Sequence, residues 1–91
     1  MTTTLYKVEN RKFLASTKMR KLFKRGQRMV KRNKIDKPQY GANIPLFAEE
    51  SANGWHYQVD YTPHYDVVVY AFAPPYTMLA RPATHVYWEE C

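Results

Sequence analysis

The hydrophobic period of this chain changes once, near Gly41, and each side of the change carries one apolar face with nothing in its own segment to cover it. Placed at 100° per residue from Met19, the positions Leu22, Phe23, Gly26, Met29 and Val30 fall within an arc of roughly 120°, the stripe of a helix running from Lys18 to about Asn33. Beyond Gly41 the period is two: Trp55, Tyr57, Val59 and Tyr61 alternate with His56, Gln58 and Asp60, as in a strand with one buried and one wet face. A sheet built from about 50 residues is too small to be stable alone, and the helix has nothing else to lie on. Packing one on the other satisfies both. The expected fold is therefore α+β, one basic amphipathic helix on a small antiparallel β-sheet of three to five strands. Residues 1–91 are expected to form a single domain, with 1–40 a basic strand and helix segment and 41–91 an aromatic-rich β segment.

Thr2, Thr3, Thr4, Leu5, Tyr6 and Val8 are β-prone and predict a short first strand ended at Glu9-Asn10. Ser16 or Thr17 is the expected helix N-cap, Pro38 breaks the helix, and Gly41 is the hinge to the second half. Gly26 costs up to about 1 kcal/mol relative to Ala inside a helix, so it predicts either close approach of the backbone to the sheet or a kink. In the second half, Ile44–Ala48 supplies a strand joined through a Glu49–Gly54 turn to the Trp55–Tyr61 strand. The tight connection Thr62-Pro63-His64-Tyr65 leads into the apolar run Asp66–Ala73, which reads as a central strand stopped by Pro74-Pro75. His85–Glu89 supplies the last strand.

Charge is divided along the same boundary. Residues 1–40 carry thirteen cations and two acids, 13 − 2 = +11, whereas residues 41–91 carry 1 − 6 = −5. On the helical wheel Lys18, Arg20, Lys21, Lys24, Arg25, Arg28, Lys31 and Arg32 occupy the arc opposite the apolar stripe, with no acid among them. Opposite charges four residues apart on a helix help by about 0.2–0.5 kcal/mol and like charges cost about as much. Lys21 with Arg25, Lys24 with Arg28, and Arg28 with Arg32 are all like pairs, a self-repulsion that an ordinary solvated face avoids. If the stripe packs on the sheet, this cationic arc must face outward.

Such an arc matches a phosphate backbone, and the partner expected first is nucleic acid, RNA or DNA, bound without catalysis. Gln27 and Asn33 are the amides near it, so backbone contacts with modest sequence discrimination are expected. The rival expectation is a small interaction protein or inhibitor whose basic arc meets an acidic protein surface, an organisation that in size and composition alone is like phage-encoded accessory proteins. Membrane binding would need the apolar stripe that the sheet already requires. Trp55, Tyr57 and Tyr61 share a face with Val59 and read as core, which leaves Tyr65, Tyr76 and Tyr87 as candidates for a base-stacking platform.

His56, His64 and His85, with Asp60 and Asp66 nearby, match no metal-ligand spacing and read as surface and turn histidines; no metal or cofactor is expected. Two of them with Arg81 would suit a small metal-free RNase, a lesser alternative. The sequence has neither a phosphate-cradling glycine loop nor a serine nucleophile elbow, which argues against nucleotide-driven enzymes. The lone cysteine, Cys91, permits no intrachain disulfide, no apolar run nears the roughly 18 residues of a membrane span, and Met1–Lys7 lacks the apolar core of a leader. A cytoplasmic, reducing location is expected.

Overall fold

The computed structural model describes residues 3–7, 12–39, 41–74 and 83–89, with side chains from Thr17 onward. The elements follow in the order β1 (Thr3–Lys7), α1 (Lys12–Asn33), β2 (Ile44–Glu50), β3 (His56–Thr62), β4 (Asp66–Phe72) and β5 (His85–Glu89). The strands form one antiparallel sheet in the order β1-β5-β4-β3-β2, and α1 lies across one face of it. The fold is thus α+β, a single helix on an antiparallel sheet. β4 is the middle strand, as its apolar run predicts: Val67, Val68 and Val69 are all buried although they point to alternate faces.

Met19, Leu22 and Phe23 of α1 pack against Tyr57, Val59 and Tyr61 of β3, Val67, Val69 and Ala71 of β4, and Tyr87 of β5. Phe23 meets Tyr87 edge to face, with ring centroids 5.5 Å apart. Of the two readings of Gly26, close approach is the one realised. The helix runs unbroken through it, and a Cβ there would stand 2.8 Å from Val67 Cγ1 and 3.0 Å from Val59 Cγ1.

Two boundaries differ from expectation, and the helix stop has a different cause. α1 begins at Lys12, so Ser16 and Thr17 lie inside it rather than capping it; Lys12, Leu14 and Ala15 are all strong helix formers and carry the helix through them. The helix ends at Asn33, as expected, but the stop is set ahead of Pro38: Lys34 turns into the left-handed region (φ 51°) and the Ile35 amide donates to the Val30 carbonyl at 3.1 Å. Ile35 and Val30 both pack on the core, so this is a Schellman stop with its hydrophobic clasp. Finally, β2 continues through Glu49 and Glu50, where the sequence predicts the start of a turn. The turn proper is Ser51–Trp55, where the Ser51 amide donates to the Trp55 carbonyl at 2.8 Å and the Trp55 amide donates to Ser51 Oγ at 3.1 Å.

Candidate nucleic-acid interface

With Met19, Leu22, Phe23 and Gly26 buried on the sheet, the opposite arc of α1 faces solvent. Arg20, Lys21, Lys24, Arg25, Arg28, Lys31 and Arg32 are exposed and Lys18 is half-buried. The eight cations are not equivalent, however, because the sheet sends acids toward both flanks of the helix.

On the β2 flank Glu49 holds two of them. Its Oε1 pairs with Lys18 Nζ and its Oε2 accepts from Arg25 at 3.1 Å. Lys18 and Arg25 are seven residues apart, two helical turns, and so lie one above the other on that flank. Arg25 also rests over the Phe47 ring, 4.2 Å from its centroid. The hydrogen bond from Lys18 is the main reason that the Glu49 carboxyl is held below the ordinary carboxylate range, with partial burial pulling the other way. On the β5 flank the Tyr87 hydroxyl donates to Glu89 Oε2 at 2.7 Å. Burial, and then that bond to Glu89, push the Tyr87 phenol upward, while Arg20 beside it acts in the opposite direction.

Lys21, Lys24, Arg28, Lys31 and Arg32 make no ion pair among the described residues. At 100° per residue they fall within about 100° of arc, centred almost opposite the apolar stripe, and at 1.5 Å per residue they extend over about 16 Å of helix. They form the crest of the molecule's cationic side. All eight cations share one arc of the helical wheel, and crest separates from flank only in the fold, where Glu49 meets Lys18 and Arg25, and Tyr87, bonded to Glu89, lies beside Arg20.

The other candidate residues are dispersed. His64 is exposed in the β3–β4 turn, and His56 is half-buried against Phe72 at 5.8 Å between ring centroids. His85 is no surface histidine: it is fully buried on the helix-facing side of β5, with Trp55 edge-on at 5.3 Å. Asp60 accepts hydrogen bonds from Gln58 at 2.8 Å and Asn43 at 3.5 Å, and Asp66 pairs with Lys37 at 2.9 Å. Among the described residues no three His, Cys, Asp or Glu side chains gather around a common point. Arg81 and Tyr76 lie outside the described residues. Of the remaining platform candidates, Tyr87 is 1% exposed and belongs to the core, whereas Tyr65 is 50% exposed and leans on Trp88 with centroids 4.8 Å apart.

A concavity lies on the sheet face away from α1. It encloses about 340 Å³ and is lined by Asn43, Tyr65, Val68, Tyr70, Val86 and Trp88 among others. No sequence pattern marks it, since the run through β4 does not show that Val68 and Tyr70 share a wall with Trp88 from β5. Among the described residues no helix is long and apolar enough to cross a membrane. No protein-family model matches this chain, and no curated protein and no solved structure matches it either.

Proposed function

We propose that this protein is a non-enzymatic nucleic-acid-binding protein that grips the phosphate backbone through the outer face of α1. The observation that carries the reading is the crest of five cations, Lys21, Lys24, Arg28, Lys31 and Arg32, exposed and unneutralised by any described acid although the sheet supplies acids to both flanks. Like charges at i and i+4 weaken a helix, so the crest is maintained at a cost to stability that a phosphate array would offset. Arg and Lys donors without base-reading amides at their centre suit backbone contact more than sequence discrimination.

Reversing the crest tests this. The variant Lys24→Glu/Arg28→Glu/Arg32→Glu should bind mixed-sequence nucleic acid at least about a hundredfold more weakly near 100 mM salt, with its circular dichroism and melting temperature retained because all three positions are exposed. The wild-type log–log salt slope should approach about −4.5 if five phosphates are neutralised. Binding by the triple variant equal to wild type would remove the site assignment. A stoichiometric protein retained from a nuclease-treated extract, with no affinity for nucleic acid, would point instead to an acidic protein surface.

A further inference from the structure

We infer that the crest is shaped for double-stranded nucleic acid and discriminates against single strands, an inference that rests on the backbone-binding reading above. Single-strand binders combine a concave basic channel with aromatic rings on which successive bases stack. The crest is neither. It is the convex back of a helix whose other side is fixed to the sheet, and from Lys21 to Arg32 its exposed arc contains no aromatic residue. Among the described residues the exposed large ring is Tyr65, and it leans on Trp88 at the sheet face opposite α1.

Rigidity argues the same way. The five cations root on one regular helix over about 16 Å of its axis, and that helix is fixed to the sheet. A duplex offers its phosphates as a fixed lattice to such a fixed row of side-chain roots. A free single strand would have to be ordered to present it, and with no ring on the crest to stack upon, nothing would offset the ordering entropy. The shared chemistry is the phosphate lattice of a double helix, whether DNA or RNA.

Fluorescence anisotropy with full-length protein would test this, using a 16-base-pair mixed-sequence DNA duplex, the RNA duplex of the same sequence, and each separated strand. At least one duplex should bind tenfold or more tightly than its own strands, with a steeper salt slope, since each neutralised phosphate contributes about 0.9 on a duplex and about 0.7 on a single strand. Comparison of the two duplexes identifies the source of the lattice. Single strands bound as tightly as both duplexes would overturn the duplex inference while leaving backbone binding intact. Binding to none of the probes would overturn the backbone reading itself. Tyr65→Ala should leave duplex affinity within twofold of wild type; a tenfold loss would move the site to the other face of the sheet and overturn the proposal.

Discussion

At Gly26 a hydrogen stands where any other residue would place a carbon against Val67 and Val59. Gly26→Ala should therefore destabilise the fold: the gain in helix propensity is about 1 kcal/mol, against about 1–3 kcal/mol for overpacking two buried valines. Urea unfolding would show a lower midpoint, and Gly26→Ala should cost less in a Val67→Ala background than in wild type, because the nearer obstructing methyl is gone there. Lys34 is the reverse case, a non-glycine residue at φ 51° in the position that usually belongs to glycine. Lys34→Gly should stabilise by about 1 kcal/mol, raising the melting temperature, and should leave nucleic-acid affinity within twofold because Lys34 is not on the crest. The sequence left Gly26 balanced between close approach and a kink, since a glycine on an apolar stripe serves either. Which one holds depends on β-branched side chains more than thirty residues away.

At the level of elements, α1 and β2 are joined electrostatically through one carboxylate. Glu49 has a lowered pKa in the folded protein, so its contribution to stability is complete above the unfolded value and is lost as pH falls through the folded one. Glu49→Gln should cost about 0.5–1 kcal/mol at neutral pH, and the difference from wild type should vanish in acid, below the ordinary carboxylate range; melting temperature against pH checks both. The same variant releases Lys18 and Arg25 from their internal partner. Nucleic-acid affinity should rise and the salt slope steepen by about 1–2, whereas a merely structural Glu49 would change the melting temperature alone. The helix and β3 could be read from hydrophobic period because each has one face to bury, and β4 from its unbroken apolar run because both of its faces are covered. The division of cations into crest and flanks could not, because Arg25 meets a residue twenty-four positions away and no local pattern encodes such a pairing. His85 and Tyr87 escaped for a related reason: a short run near the end of the sequence looks like an edge, but β1 lies outside β5 and turns it into an interior strand.

For the molecule as a whole, the sheet is completed by pairing across nearly the full length of the chain. β1 joins β5 with Thr3 opposite Glu89 and Lys7 opposite His85. That pairing closes a very long loop, so it is entropically late and its loss would leave β5 as an unprotected edge. A variant lacking residues 1–10 should melt at lower temperature and self-associate, measurable as concentration-dependent sedimentation. The same pairing has a topological consequence. Because β1 and β5 lie side by side and antiparallel, the segment entering the sheet and the segment leaving it sit at one corner, where a short glycine-rich linker could splice them. The chain could then be reopened at the exposed Ala52-Asn53 tip of the β2–β3 turn. Such a circular permutant would retain every strand neighbour and the whole of α1 while making β5–β1 a local hairpin and β2–β3 the most distant pairing, so it should reach the same fold at a rate close to that of the natural order but start from the β5–β1 corner.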